Sequence, residues 1–446
     1  MRSLLLMIIM AGLLPVAMMR PFAGILLWSW YSFMSPQRIV WGIAEDIPWG
    51  VLIVAATAFG CFMNGEPRRP RSSPTLWLLI AFIVATTLTS LVALAPGDAV
   101  FGKWSLVTKI FVVLIMTLLL TDEKERVHAL IWVIVLSVGF YGVKGGAFSI
   151  LTGGGHRVFG PEGTMINDNN SLAAALLMIL PLVYYIRLQS KHEIIRLGCI
   201  LAMVLIFFSI LGSHSRGALV GIVCVSGYLW LKTQNKLVSG VAIGLLALMG
   251  LAFMPEHWWG RMATISTYAD TQDLHNNRLV LWSTGWKLAL ARPFTGVGFM
   301  GPYFVSVVWN YVPGAAARSL HSIYFELMAE HGFPTFMIWL GLSIVGVRNA
   351  RHIIRVSRGL PDLKWASDLA RMVQVSIIAY LVTGTFLPLS YLDSYFTILV
   401  ALAAARIIVD DTVRARDPAL ARRRPWQAVA AAPWRPGGAT ARVGGE

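Results

Sequence analysis

The chain has 446 residues, of which 57% are hydrophobic and only 13% are charged. Soluble globular domains carry about a quarter charged residues, so this composition excludes a cytoplasmic enzyme with a solvated surface, and it also excludes a disordered chain. The apolar residues fall into many runs of about 16–20, the length that crosses a bilayer core. The sequence therefore predicts an all-α, polytopic integral membrane protein embedded in the lipid bilayer.

A net charge of +15 would suggest a nucleic-acid partner in a soluble protein. Here the basic residues cluster in short loops between apolar runs, as the positive-inside rule describes. No basic helix or aromatic-basic surface accompanies them, so we expect no nucleic-acid partner. The cysteines and the histidine and carboxylate residues lack metal-ligand spacing, so we also expect no metal and no cofactor.

Apolar periodicity predicts 12 or 13 transmembrane helices in total. The region 3–35 forms either one long kinked helix or two short helices around Arg20-Pro21, and the sequence leaves both open. The other spans are predicted at about 48–63, 75–94, 104–121, 127–143, 171–186, 195–212, 217–231, 237–254, 333–347, 372–388 and 394–409.

The distribution of Lys and Arg predicts the orientation of these spans. If every span crosses, most basic loops lie on one side, which is then the cytoplasm. The transmembrane domain covers 1–410, and the tail 411–446, rich in Ala, Arg, Pro and Gly, is predicted to be cytoplasmic and disordered. The opposite face receives two long loops, about 144–170 and 255–332, and loops of this length are usually functional. The basic loops contain Arg68, Arg69, Arg71, Lys124, Arg126, Arg187, Lys191, Arg196, Lys232, Lys236, Arg348, Arg351, Arg355 and Arg358, and the tail contains Arg422, Arg423 and Arg424.

Two arginines outside the basic loops are candidate binding residues. Arg216 lies in a very short link between two spans, where a charge is costly unless it is paired or hydrated. Arg278 is followed at helical spacing by Trp282 and Trp286, which predicts an amphipathic helix on the outer membrane surface. The alternatives are an arginine that only anchors a helix end and tryptophans that only pack on the bundle.

His321 is the candidate general base, because histidine exchanges a proton near neutral pH. It opens a stretch that should break or kink at Gly332 to Pro334. Glu326 and Glu330 share one helical face, which is costly unless they turn toward a hydrated cavity or a cation. A structural histidine is the alternative, and His331, beside the kink, is predicted to be one.

The remaining loop residues give less specific signals. Arg157 is a candidate phosphate ligand, whereas Asp168 to Asn170 either contribute to binding or cap the helix at Ser171. Residues 296–301 formally match the dinucleotide pattern GxGxxG but lack its strand and following helix. These glycines are therefore expected to permit a tight turn or a close backbone approach.

The order of these features resembles the O-antigen ligase/polymerase superfamily of bacterial inner-membrane glycosyltransferases. The resemblance rests on the Ser-Arg-Gly-Ala link at 215–218, the Arg…Trp segment, the Pro-x-x-Gly-x-Gly turn at 293–298, and the succession of His321-Ser322, Tyr324, Gly332 and Pro334. The opening stretch from Arg20 to Arg38 and the Asp168-Asn169-Asn170 loop look like the O-glycosylation ligases associated with exosortase systems.

The resemblance implies a GT-C-like helical fold with a large periplasmic loop. It also implies transfer of a glycan from undecaprenyl diphosphate to an acceptor hydroxyl, without metal, at the periplasmic face of the inner membrane. Arg216 and Arg278 would hold the donor diphosphate, and His321 would be catalytic. Arg157, Glu326, Tyr324 and Trp282 would support them.

Three functions remain open at this point. The first is the ligase, whose acceptor is a lipid, a protein or a polysaccharide. The second is a polysaccharide repeat-unit polymerase, which shares the same motifs. The third belongs to another class, a transporter of lipid-linked glycan or of an anion, although transporters tend to show internal repeats that this sequence lacks.

Overall fold

The computed structural model describes residues 2–66, 71–253, 256, 259–260 and 277–416. Within those residues every regular element is helical. The main helices are α1 (Arg2–Met19), α2 (Pro21–Met34), α3 (Trp49–Asn64), α4 (Pro74–Leu91), α5 (Gly97–Leu120), α6 (Lys124–Leu151), α7 (Asn169–Gln189), α8 (Glu193–Gly212), α9 (Arg216–Lys232), α10 (Lys236–Phe253), α11 (Arg278–Ala291), α12 (Ile323–Val356), α13 (Lys364–Gly384) and α14 (Asp393–Arg416).

The N-terminal region forms two helices, which resolves the alternative left open by the sequence. Arg20 separates α1 from α2 with extended backbone (φ −134°), and Pro21 occupies the first position of α2. Proline suits that position because its missing N–H would have no partner in the first helical turn.

Six helices of the described residues are long and apolar enough to cross a membrane: α1, α4, α5, α6, α7 and α8. Leu136, Leu201 and Val223 are large apolar side chains that remain more than half exposed, as on a lipid-facing surface. The prediction of an all-helical, multi-pass membrane protein is confirmed. The total of 12 or 13 spans stays a prediction.

Glycines allow α6 to pack closely on α8. A Cβ added at Gly146 would lie 1.9 Å from the carbonyl oxygen of Leu205, and one at Gly142 would lie 2.7 Å from Ile206. Small residues let helix backbones approach in this way inside membranes, where packing replaces the hydrophobic effect as the main force between helices. This contact fixes the C-terminal half of α8, which leads into Arg216.

Polar contacts join the helix termini at one end of the bundle, here called the basic end. Asp368 near the start of α13 accepts hydrogen bonds from Lys364 Nζ at 2.6 Å and from Gln189 Nε2 at the end of α7 at 3.1 Å. Arg71 before α4 pairs with Asp411 of α14. The loops predicted to be cytoplasmic therefore meet at one end of the bundle.

Backbone contacts join the other helix termini at the opposite end. Val158 N donates to Gly212 O at 3.0 Å, and Leu94 N donates to Val297 O at 3.0 Å. Asn169 Nδ2 donates to Ser213 O at 2.7 Å. Both long loops thus contact helix ends or links at the end away from the basic end.

Several boundaries differ from the sequence-based ones. Helix α6 continues to Leu151, so the first loop is shorter than 144–170, and α12 begins at Ile323, so the second loop ends before 332. Helix α11 lies in the second loop, where the sequence predicts a helix. Helix α14 continues to Arg416, beyond the predicted domain end at 410. The rest of the predicted tail, Arg68 and Arg69, and residues 261–276 of the second loop lie outside the described residues.

Candidate functional site

The link carrying Arg216 is held tightly between α8 and α9. Ser215 caps α9 by accepting a hydrogen bond from Ala218 N at 3.2 Å, so Arg216 is the first helical residue. His214 has a positive φ of 54°, and its Nε2 lies 2.9 Å from Gly154 O of the first loop. Arg216 is therefore a half-buried cation at a helix N-terminus, in a rigid setting.

Arg278 occupies the same kind of position at the start of α11. Asn277 caps this helix by accepting from Leu279 N at 2.9 Å. The Arg278 guanidinium lies over the ring of Phe386, 5.9 Å from its centroid. The start of α9 meets the same ring, because a Cβ added at Gly217 would lie 3.4 Å from Phe386. Phe386 thus links the two arginine-bearing helix starts.

Trp282 packs on the bundle, which is one of the two alternatives that the sequence leaves open for the tryptophans. Its ring stacks on Phe325 at 5.7 Å and lies 6.0 Å from Phe386. Trp286 contacts Phe333 but remains 43% exposed. The Arg278–Trp282 face is directed at the bundle rather than at the lipid surface, because the aromatic residues of α12 and of the α13–α14 loop cover it.

His321 lies next to these residues, in the loop before α12. It has a positive φ of 47° and is half-buried. Burial lowers the pKa of His321 below its usual 6.5, and the charges of Arg278 and Arg318 lower this pKa further, whereas Asp168 and Glu326 raise it. The imidazole is therefore neutral at pH 7, the form that accepts a proton.

Arg278 and His321 share one electrostatic environment, because the charge of Arg278 lowers the pKa of His321, and Phe386 links Arg278 to the start of α9. Arg216 and Arg278 each occupy the first turn of a helix, where unpaired backbone N–H groups and the helix dipole favour anions. Gly285 of α11 packs directly on Leu320 beside His321, which brings α11 against the histidine loop. Two helix starts that carry arginines therefore lie at the same end of the bundle as a neutral histidine.

Glu326 and Glu330 face a cation. The sequence predicts that these carboxylates face either a hydrated cavity or a cation, and the second alternative is the one observed. Lys103 Nζ of α5 lies 2.9 Å from Glu330 Oε1 and 3.2 Å from Glu326 Oε1. Ser390 Oγ donates to Glu326 Oε2 at 2.6 Å, and Tyr391 OH donates to Glu330 Oε2 at 2.7 Å. This buried network fixes the first part of α12, which begins directly after His321.

The predicted break at Gly332 is confirmed. Gly332 has a φ of 74°, in the left-handed region that favours glycine. Phe333 N, which leaves the helical pattern there, donates to Pro293 O at 2.8 Å. A strap formed by residues 293–301 thus replaces the missing helical bonds.

The glycines of the strap permit a close backbone approach, as expected. A Cβ at Gly296 would lie 2.4 Å from the backbone of Glu330, and one at Gly298 would lie 2.1 Å from Ala93. Val297 N and Gly298 N donate to the carbonyls of Ala329 and Glu330, each at 2.8 Å. The formal GxGxxG match is therefore a structural turn.

The other predicted residues have varied positions. Asp168 caps α7 by accepting from Asn170 N at 2.9 Å and from Ser171 N at 3.2 Å, so the expected cap is confirmed. Arg157 is exposed in the first loop. Tyr324 OH donates to Leu381 O at 2.8 Å and so ties α12 to α13.

His331 is enclosed by the protein. Its Nδ1 lies 2.6 Å from Thr89 Oγ1, and its ring meets Phe299 edge-on at a centroid distance of 4.2 Å. This packing agrees with the structural role predicted for it.

Sequence reasoning missed two cations. Lys103 lies one residue before a predicted span. A charged residue at a membrane helix is expected to have a partner, and this signal could have identified Lys103 as a candidate for a buried ion pair. Arg318 is three residues before His321 and is exposed, but only the folded loop shows that its charge acts on the histidine.

Among the residues that the structure describes, no group of three or more His, Cys, Asp or Glu side chains is arranged to hold a metal ion.

Two family models match the chain. Residues 201–340 match the model described as O-Antigen ligase, and this match includes Arg216, Arg278 and His321. Residues 1–191 match a model described as a family of unknown function, DUF5935. No curated protein matches the chain significantly. Residues 201–340 are therefore similar to the O-antigen ligase family, and this similarity supports the O-antigen ligase superfamily and glycan transfer of the ligase or polymerase type.

Proposed function

We propose that the protein transfers a glycan from undecaprenyl diphosphate to an acceptor hydroxyl at the periplasmic face of the bacterial inner membrane. The main support is the placement of Arg216 and Arg278 on two helix starts linked by Phe386, beside a neutral His321. The end of the bundle that carries them lies away from the basic end, which the positive-inside rule assigns to the cytoplasm.

The proposed reaction needs no metal. His321 takes the proton of the acceptor hydroxyl while the acceptor oxygen forms a bond to the anomeric carbon. The bond between that carbon and the diphosphate oxygen breaks, and undecaprenyl diphosphate leaves with the electron pair. Arg216 and Arg278 stabilise its added negative charge through charge-assisted hydrogen bonds, for which the guanidinium fork is suited. Adding EDTA should leave the rate unchanged.

The ligase has two competitors. A repeat-unit polymerase would use the same residues with a growing glycan as acceptor, so the site does not separate the two. A transporter would need no general base, and the depressed pKa of His321 therefore favours an enzyme. Within the superfamily, the opening motif from Arg20 to Arg38 supports the branch associated with exosortase systems.

The test is a transfer assay with purified protein in detergent, an undecaprenyl-diphosphate-linked glycan and candidate lipid, protein and polysaccharide acceptors. Covalent transfer is the expected result, with release of undecaprenyl diphosphate. Arg216→Ala and Arg278→Ala should each lower the rate by roughly 10²–10³. Lys287→Ala, an exposed cation on the same helix as Arg278, is the matched control and should retain the parent rate. Movement of the glycan across proteoliposomes without transfer would indicate a transporter instead.

A further inference from the structure

A second cavity lies at the same end of the bundle, outside the Arg216–Arg278–His321 site. Its volume is about 370 Å³, within the range of ligand pockets. It lies between α2, α5, the 163–166 part of the first loop and the start of α14. The region matched to the family of unknown function supplies most of its walls. Nothing in either family description assigns it a ligand.

Lys109 is the residue of this cavity that most needs explanation. It lies in the middle of α5, one of the helices apolar enough to cross the membrane, and it lines the cavity. Within the described residues, no carboxylate lies within 4.0 Å of its ammonium group and no hydrogen-bond partner is present. A charge in a membrane helix is costly unless it faces water or an anion. The Lys109 side chain therefore faces water in the cavity or an anionic ligand bound there.

The cavity also offers hydrogen-bond acceptors. Gln37 Oε1 is buried and has no hydrogen-bond partner. Asp393 accepts hydrogen bonds from Ser32 Oγ and from Ser394 N, and its carboxylate lines the same wall. Acceptors of this kind match hydroxyl groups, which a fully ionised anion such as sulfate does not supply.

Aromatic side chains complete the lining. Trp28 and Tyr31 lie on one side of the cavity, with ring centroids 6.5 Å apart. Arg38 adds a second cation, although it is 45% exposed and lies 3.8 Å from Glu45. Flat apolar faces beside donors and acceptors suit the C–H face and the hydroxyl edge of a sugar ring.

We infer that this cavity binds an acidic sugar residue, one that carries a carboxylate, of a glycan substrate. Lys109 pairs with the carboxylate, Gln37 and Asp393 accept from ring hydroxyls, and Trp28 and Tyr31 cover the ring face. The inference rests on the proposed function, because the sugar is part of the glycan that the protein handles. The first loop joins the two sites, since residues 163–166 line the cavity and Asp168 acts electrostatically on His321.

The test is binding of α-1,4-digalacturonate to the full-length protein in neutral detergent, measured by calorimetry. The dimethyl ester of the same disaccharide removes the charge and keeps the ring. The acid should bind at least about tenfold more tightly than the ester, and Lys109→Met should abolish that preference. Lys144→Met, an exposed lysine on α6, is the control and should bind like the parent.

Lys109→Met removes a charge that has no partner in the described residues, so it should fold at least as stably as the parent. Gln37→Glu is a second variant: its carboxylate should repel the acid and spare the ester. Equal binding of acid and ester to the parent, or a preference for the acid that Lys109→Met retains, would overturn the inference. So would displacement of the acid by phosphatidylglycerol alone, which would make the cavity a lipid headgroup site.

This experiment separates the two proposals. Arg278→Ala should lose transfer and keep the preference for the acid. If the parent protein transfers glycan but Lys109→Met still prefers the acid, only the cavity inference fails. If the acid preference depends on Lys109 but no transfer occurs, only the proposed function fails.

Discussion

Replacing Lys103 by Met tests whether the buried network of α5 and α12 stabilises the fold. Lys103 contacts both Glu326 and Glu330, and the Glu330 side chain has no exposed surface. Removing one partner of a buried ion pair costs about 3–5 kcal/mol, because the other charge stays buried without compensation. Two carboxylates lose their cation here, so the upper part of that range is expected.

The assay is the free energy of unfolding by denaturant titration in mixed micelles. Adding Glu326→Gln and Glu330→Gln to Lys103→Met should recover most of the loss, since no buried charge then remains. Lys144→Met is the control and should change stability by less than about 0.5 kcal/mol, as surface substitutions do. Stability of Lys103→Met within about 1 kcal/mol of the parent, or a triple variant no better than the single one, would refute the reasoning.

Three further predictions concern the site and its orientation. Arg318→Gln removes a charge that lowers the pKa of His321, so the acid limb of the pH–rate profile should move to higher pH; a profile that stays in place contradicts the base role. Arg278→Lys should remain well below the parent rate, because a point charge replaces a bidentate fork, and a near-parental rate would remove that argument. In a cysteine-free background in intact cells, Asn310→Cys should react with an impermeant thiol reagent and Arg358→Cys should not; the reverse pattern would invert the topology.

Local signals allowed the helices and several of their ends to be predicted. Pro21 occupies the first position of α2, and Asp168 caps the start of α7. Gly332 interrupts the helical backbone of α12 two residues before Pro334. Each of these effects depends on a few neighbouring residues, so helix starts and breaks of this kind can be predicted from the sequence. The succession of Arg216, Arg278 and His321 was also visible as a motif order.

Contacts between distant segments were not visible in the sequence. Lys103 pairs with carboxylates more than two hundred positions away, and Phe386 links helices whose starts are far apart in the chain. The inward position of Trp282 depends on the aromatic residues that cover it, so helical spacing alone left its environment open. The cavity that contains Lys109 has walls from segments that are far apart in the chain, including α2, α5, the first loop and the start of α14, and only the fold brings these together.

The most direct test of the proposed function compares donor binding with transfer for two variants. His321→Ala should bind the undecaprenyl-diphosphate-linked glycan as the parent does but transfer it roughly 10²–10⁴-fold more slowly, because only the base is missing. Arg278→Ala should instead lose donor affinity together with transfer. Parental transfer by a folded His321→Ala protein, or equal loss and instability in His321→Ala and His331→Ala, would contradict the assignment of catalysis to His321.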